Sequence, residues 1–467
     1  MDGVTAIDWQ RVAADLAPIE CIAARAVLRT KSRDFFWYSP VLNEKLKSVS
    51  ADLVVCPANE AEIVRTLAYC HTHRIPVTPR GGGTGNYGQA MPLKGGIVLD
   101  LLRLNRFLWL KDGVARVEAG LKLIDLENHS LPQGWELRFH PSTRRTATIG
   151  GFIAGGSGGV GSVQFGGLRT RGNVLALRLI TMEEKPRAIE LRGEEVMPAA
   201  HAYGTNGIIV ELEIPLARTW PWHEAVVSFA DIAAAADFAK ALCEADGIVR
   251  KLVSVSDWGA AQYFRPLLPH LKAGEAVALC VVADPSREAF AALAASLGGT
   301  IVFERDAAEA GNIPPLYEFT WNHTTLWALK VDRTITYLQC LFDGPDYLDK
   351  IARTVATFGD ETPMHLEFTR LGGHVAAFGL QLVRYTGEKR LYEIIRWLEA
   401  AGCPVADPHT YILEDGGMKT VDEAQLAFKR QADPLGLLNP GKMKAWTDAI
   451  LSNSSSSSSP PLGGEVR

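Results

Sequence analysis

Between Leu53 and Arg80 the chain reads LVVCPANEAEIVRTLAYCHTHRIPVTPR. An apolar run of strand length is followed by a polar break, and then by apolar residues at Ile63, Leu67 and Cys70 on helical spacing. A second short strand closes the stretch. Asn59 stands where a helix N-cap is needed. Before this unit, the opening forty residues read as a helix and an aromatic-rich connection, RDFFWYSP. After it, GGIVLDL and GVARVEAG predict two strands, and LKLIDLENHSLPQGW a helix that ends before Pro132. VLALRLIT and GIIVELEIPL read as buried strands of the same unit, bounded by Pro215 and RTWPWHE. From about 220 to 400, strands such as EAVVSF, AVALCVVA and ITYLQCLF alternate with alanine-rich helices such as DIAAAADFAKALCEA. That rhythm belongs to an α+β unit with an antiparallel sheet. DEAQLAFKRQADPLGLLNPGKMKAW predicts a helix broken by two prolines, and SNSSSSSSPPLGGEVR a disordered tail.

Composition narrows the function classes. A chain of 467 residues, 47% hydrophobic, has ample core for two or three domains. A formal charge of -5 provides no general basic field for nucleic acid or an anionic membrane. The seven cysteines lack C-x-x-C spacing, which points to free thiols and away from a disulfide framework or a structural zinc. The first residues do not read as a signal peptide, and no apolar span has transmembrane length. The expectation is a soluble cytoplasmic protein.

Two glycine fields carry the chemistry. In TPRGGGTGNYGQ, five glycines fall within residues 81–88, directly after Arg80. Consecutive glycines allow backbone N–H groups to turn inward as an anion-binding nest. GTGNYG matches G-x-G-x-x-G, but QAMPLKGG follows where a dinucleotide fold needs a helix. A Walker loop fails as well, because Gln89 follows Gly88. The second field, TIGGFIAGGSGGVGSVQFGG at 148–167, contains GSGGVG, read as having no helix behind it. Two such loops in one unit predict opposite walls of a crevice around an extended phosphate-bearing ligand, with tight helix packing on small residues as the alternative for the second.

Together, PVTPRGGGTGNYGQ, HPSTRRTATIGGFIAGGSGG, GTNGIIVELEIPL and DPLGLLNPGK resemble the FAD-binding PCMH-type (vanillyl-alcohol oxidase) superfamily. The fourth stretch is similar to the glycolate oxidase and D-lactate dehydrogenase branch. The resemblance implies an α+β fold: a two-subdomain FAD-binding domain at 1–217, an α+β cap with an antiparallel sheet at 218–405, a returning segment at 406–450 and a Ser-rich tail at 451–467. It implies cofactor contacts from Arg80, Gly81, Gly82, Gly83, Thr84, Gly85, Asn86 and Tyr87. It extends them to Pro141, Ser142, Thr148, Gly150, Gly151, Ala154, Ser157, Gly207, Ile209, Asn439 and Lys442. Many relatives attach FAD through a histidine in the first loop; Thr84 and the absence of histidine there imply non-covalent FAD.

For such a cofactor the protein supplies position and a proton acceptor. Candidate catalytic residues are His409, His365, Tyr411 and His323; candidate substrate-binding cations are Arg370, Arg384 and Lys330. His409 leads, because its place before the C-terminal helix resembles the histidine of a glutamate-histidine pair in hydroxyacid dehydrogenases, although that glutamate is missing. In MHLEFTR, strand alternation places His365, Glu367 and Thr369 on one face. His71 and His73 read as solvated helix-end residues. HLEFTRLGGH lacks the H-x-G-D-G-N-x-H pattern of metal-dependent relatives, so no catalytic metal is expected; Asn322 stands near where those relatives carry a carboxylate-binding arginine, which weakens the simple hydroxyacid reading unless Arg370 or Arg384 replaces it.

The leading expectation is an FAD-dependent oxidoreductase taking a hydride from a small hydroxylated substrate, such as the 2-hydroxy acids D-lactate or glycolate. The alternatives are a sugar or polyol oxidase and a non-catalytic FAD-binding subunit of a multi-protein oxidoreductase. Oxygen, a quinone or a redox protein are the candidate electron acceptors, with a homo-oligomer or a partner redox subunit as candidate assemblies.

Overall fold

The computed structural model describes residues 7–309, 311–417 and 419–449, so the Ser-rich tail lies outside the described residues. Three sheets organise it. The first has four strands in the order Glu20–Ile22, Leu53–Cys56, Ile97–Asp100, Val77–Arg80; the last three are parallel and the first is an antiparallel edge. The helix Glu60–Thr72 makes the crossover between two of them. Its start is fixed locally: the Asn59 side chain accepts from the Glu62 N–H at 3.0 Å, and Glu62 reaches back to the Ala58 N–H at 2.7 Å. Ile63, Leu67 and Cys70 point into the sheet and are fully buried.

The second sheet is antiparallel. It runs Phe107–Lys111, Val114–Glu118, Ile208–Arg218, Ala176–Ile180, Ala188–Arg192, with Trp135–Leu137 pairing to the far end of Ile208–Arg218. Pro215, read from sequence as a boundary, is inside this strand opposite Val114. Pairing with Ala176–Ile180 has already ended at Glu213, so one side of the strand is open where proline lacks its donor.

The third sheet has seven antiparallel strands from Trp222–Phe229 to His374–Gly379, in the order Thr300–Asp306, Trp222–Phe229, Ala276–Ala283, Arg250–Ser256, His365–Leu371, His374–Gly379, Cys340–Phe342. The helices Ile232–Glu244, Arg287–Ser296, Tyr347–Phe358 and Glu388–Ala400 contribute Phe238, Phe290, Ile351 and Ile394 to one core with the sheet. Val160 packs with Leu252, Val281, Tyr317, Trp321 and Leu380 in a small apolar cluster that joins the second glycine field to the third sheet. His365–Leu371 is therefore central, and both faces of its first five residues are buried. The half-solvated face that its alternation also allows is absent.

The second glycine field holds two short helices, Ile149–Gly155 and Ser162–Phe165. The latter follows GSGGVG directly, contrary to the sequence reading; it opens at Gly161, whose φ of 102° suits glycine.

Candidate functional site: a crevice between two glycine loops

The two glycine fields face each other across a cavity of about 350 Å³. Several glycines are needed for the loops to meet at all. A Cβ on Gly81 would stand 2.1 Å from Thr148 Oγ1, one on Gly82 2.3 Å from the Thr146 carbonyl oxygen, and one on Gly150 2.5 Å from Ala119 Cβ. Gly155, which lines the crevice, differs: its Cβ would meet nothing closer than 3.6 Å. Thr148 caps the helix Ile149–Gly155 by accepting from the Gly151 N–H at 3.2 Å.

Arg80 is mostly buried. It donates to the Arg33 carbonyl at 2.6 Å, and its guanidinium fills the space beside Gly83. It braces the loop as well as lining the cavity. Residues 81–87 line it too, as do Pro141, Ser142, Thr148, Gly150, Gly151, Ala154, Ser157, Gly207 and Ile209. Asn439 and Lys442 do not; they hold the first loop from behind. Asn439 donates to the carbonyls of Gln89 (2.8 Å) and Tyr203 (2.7 Å), and Lys442 donates to the Gly88 carbonyl. Burial pushes the Lys442 ammonium down to about 7, opposed by Asp34. Burial pushes the Asp34 carboxyl up to about 6, against the backbone N–H of Ala90 and the charge of Lys442.

Residues between Trp321 and Leu380 close the other end. Trp321, Asn322, His323, Leu326, Gln339 and Leu380 line the crevice. Tyr87 in the first loop donates to Gln339 Oε1 at 2.7 Å, tying the loop to this end of the crevice. Trp321 adopts φ 53° and ψ −140°, an unusual backbone for a bulky residue. It is held there by Glu367, whose Oε1 accepts from the Trp321 N–H at 2.5 Å and from Ser254 Oγ at 3.2 Å. His365 Nε2 bonds the same oxygen at 2.8 Å and Thr324 Oγ1 at 2.9 Å, while Nδ1 meets Ser256 Oγ at 2.8 Å. His365 thus lies behind the lining, inside a closed polar network.

His409 is also away from the lining. Its Nε2–H donates to the Tyr337 carbonyl at 3.0 Å, and Nδ1 accepts from Ser39 Oγ at 2.7 Å. Full burial pushes its pKa down to about 3. Tyr411 packs near Leu46 and Met91 and under Lys442. Arg370 donates to the carbonyls of Gly373 and Cys243, and Arg384 to that of Asp360. Lys330 stands 3.8 Å over the Trp327 ring and borders a second, open cavity of about 630 Å³. Of the catalytic and substrate-binding candidates, His323 alone lines the crevice, and with Leu326 it borders both cavities. Its Nδ1 pairs with Glu318 at 2.8 Å. Burial raises the Glu318 carboxyl, but the bond to His323 and the nearby Arg145 outweigh it and leave it below its ordinary value.

Sequence reasoning missed Asp34, Tyr38, Gln339, His201 and Tyr203 as lining residues. A local signal existed only for Asp34 and Tyr38, in the RDFFWYSP stretch. His201 and Tyr203 take positive φ, 49° and 52°, and His201 Nδ1 bonds the Gly156 carbonyl at 2.6 Å.

An extended, partly anionic ligand fits these residues. Buried polar atoms without a protein partner, Trp321 Nε1 and Asn322 Oδ1, belong to lining residues at the cap end. At the other end are backbone-rich glycine walls and a capped helix N-terminus. Residues 51–187 match the FAD_binding_4 family, described as "FAD binding domain". This part of the chain is an FAD-binding domain. Its cofactor is FAD.

The chain is 34% identical over 131 residues to glycolate oxidase subunit GlcD of Bacillus subtilis, covering 28% of this chain and 27% of that protein. It is 34% identical over 145 residues to a D-lactate dehydrogenase of Archaeoglobus fulgidus, covering 31% and 32%. Against a D-2-hydroxyglutarate dehydrogenase of Escherichia coli, identity is 35% over 151 residues, covering 30% and 14%. The chain therefore spans less than a third of the length of these relatives. A solved alkyldihydroxyacetonephosphate synthase superposes with a TM-score of 0.70 at 15% identity, over 95% of this chain and 86% of that one. That likeness concerns the fold. No helix among the described residues is long and apolar enough to cross a membrane.

Proposed function

We propose that the chain is an FAD-linked oxidoreductase that removes a hydride from the C–H of a small hydroxylated substrate, a 2-hydroxy acid such as D-lactate or glycolate. The observation that carries this reading is His323, a proton acceptor at the junction of the FAD crevice and an open cavity, paired with Glu318. The names of the matched relatives, a glycolate oxidase subunit and two D-hydroxy acid dehydrogenases, support the substrate class.

Bound FAD supplies the two-electron acceptor. The glycine walls would hold its anionic part, and the absence of histidine from the first loop supports non-covalent binding. Glu318 accepts from the Nδ1–H of His323, which leaves Nε2 as the base for the substrate hydroxyl proton. Arg145 and Lys330 line the open cavity beside His323 and offer cations to an arriving carboxylate. Trp321 and Leu380 exclude water from the apolar side of the cap end.

The division at 217/218 and 405/406 is part of this reading. It draws support from the seven-stranded sheet, whose strands all lie between Trp222 and Gly379, and from the return of Asn439 to the first loop. A reducing, cytoplasmic setting rests on seven free cysteines. The electron acceptor is oxygen, a quinone or a redox protein, and the GlcD likeness supports a partner redox subunit.

A sugar or polyol substrate is the second reading. It is favoured by the placement of Arg370 and Arg384, both engaged with backbone carbonyls away from the crevice. Anaerobic addition of hydroxy acids and polyols, followed at the visible flavin band, separates the two: bleaching by D-lactate or glycolate supports the first, bleaching by polyols alone the second.

A further inference from the structure

His223, Asp284 and Asp306 come from the ends of three neighbouring strands of the cap sheet. His223 is the second residue of Trp222–Phe229, Asp284 directly follows Ala276–Ala283, and Asp306 closes Thr300–Asp306. The register puts His223 opposite Val282 on one side and Asp306 on the other. The Asp284 N–H donates to the Pro221 carbonyl at 2.8 Å, which pins this third residue beside the first strand. One ligand atom from each of the three lies within 4.8 Å of the others.

The imidazole is the informative member. His223 is 1% exposed, while both aspartates open to solvent. Its Nε2 is 3.2 Å from Glu304 Oε2, and Glu304 is itself paired to Arg287 at 2.9 Å. A carboxylate accepts only, so Nε2 carries the hydrogen, and in the neutral ring Nδ1 presents a lone pair. That buried nitrogen has no hydrogen-bond partner and faces Asp306 Oδ1 at 3.5 Å. A lone pair aimed at carboxylate oxygens is repelled by them unless something positive sits between.

We propose that His223 Nδ1, Asp284 and Asp306 bind one divalent transition-metal ion of the zinc type. Two ligands each about 2.1 Å from one zinc, at the tetrahedral angle, stand roughly 3.4 Å apart, which is the spacing of Nδ1 and Asp306 Oδ1. Glu304 behind Nε2 is the outer carboxylate that orients a ligating histidine and raises its basicity. One imidazole with two carboxylates suits zinc better than magnesium or calcium, which take oxygen sets. The open side leaves a position for water. None of the three residues lines the FAD crevice, so the ion clamps the strand ends and the start of the helix Arg287–Ser296. The cysteines take no part, which is why their spacing gave no sign of it.

The test uses the full FAD-loaded chain, stripped with EDTA, desalted and titrated calorimetrically with ZnCl2, with metal content measured by mass spectrometry. The expected result is one zinc per chain and a melting temperature raised by about 2–4 °C. D306N and D284N, exposed and outside the crevice, should each weaken binding by roughly 10-fold or more, and H223Q should abolish it, with flavin content unchanged in all three. If H223Q does not fold, the two aspartate variants carry the test alone. Absence of stoichiometric zinc, or binding that is unaltered in D306N and D284N, overturns the site.

Discussion

The Glu367 carboxylate accepts the backbone N–H of Trp321 at 2.5 Å, and this bond anchors a residue at φ 53° in the crevice wall. His365 and Ser254 converge on the same oxygen, so one buried carboxylate organises the cap end of the FAD site. Glu367→Ala leaves the Trp321 N–H and the Ser254 hydroxyl without that acceptor in a fully buried setting, while His365 Nε2 keeps Thr324 Oγ1. The expected cost is about 3 kcal/mol. Thermal unfolding and flavin release should both move to lower temperature. A variant that melts with the parent would mean that the network does not hold Trp321.

The glycine loops make a sharper prediction. Gly81→Ala collides with a side chain, Thr148 Oγ1, whereas Gly82→Ala collides with the backbone carbonyl of Thr146. Both should lose FAD on gel filtration. Adding Thr148→Ala should partly restore FAD retention to Gly81→Ala, despite about 1 kcal/mol lost with the helix cap, and should do nothing for Gly82→Ala. Equal retention in the two double variants would contradict the packing described.

His409 gives stability a pH signature. Burial holds it neutral down to about 3, while a histidine in the unfolded chain takes up a proton near ~6.5. Above that pH neither state is protonated and the full stability is present. As pH falls from there toward about 3, the unfolded chain alone gains the proton, and stability drops by up to about 1.4 kcal/mol per pH unit. His201, pushed down to about 4 by burial, acts in the same direction. His409→Gln should therefore flatten the dependence of urea midpoint on pH between 6.5 and 4 by about one proton. Parallel curves for parent and variant would contradict a neutral, buried His409.

His323→Asn tests the proposed base. The flavin spectrum and FAD content should be unchanged, and kcat should fall by roughly 10²-fold or more. Glu318→Gln should lower kcat less, since Glu318 only orients the ring. Unchanged turnover in His323→Asn would remove it from the reaction.

The glycine fields were legible in the sequence because their composition answers a local backbone demand. What the sequence does not display is that Gly81 and Gly82 serve contact with residues 146–148, some sixty positions later. The helix Glu60–Thr72 was equally legible, since Asn59, Ile63, Leu67 and Cys70 fix its cap and its buried face within one stretch. The cap end was not. His409 bonds Ser39, 370 positions away, because the N-terminal segment folds across the returning C-terminal one. The alternation in MHLEFTR correctly puts His365 and Glu367 on one side, yet it is silent on whether that side faces solvent, a cavity or a second layer. Here Ser254, Ser256 and Thr324 cover it.

Non-covalent FAD in the crevice and oxidation of a 2-hydroxy acid beside His323 are tested most directly by the visible spectrum of the purified chain, before and after acid precipitation, followed by anaerobic additions of D-lactate, glycolate and D-2-hydroxyglutarate. The expected result is a flavin spectrum, flavin released into the acid supernatant, and bleaching by one of these acids. A protein that stays colourless after incubation with FAD would contradict the cofactor site, and bound flavin bleached by none of the acids would contradict the proposed reaction.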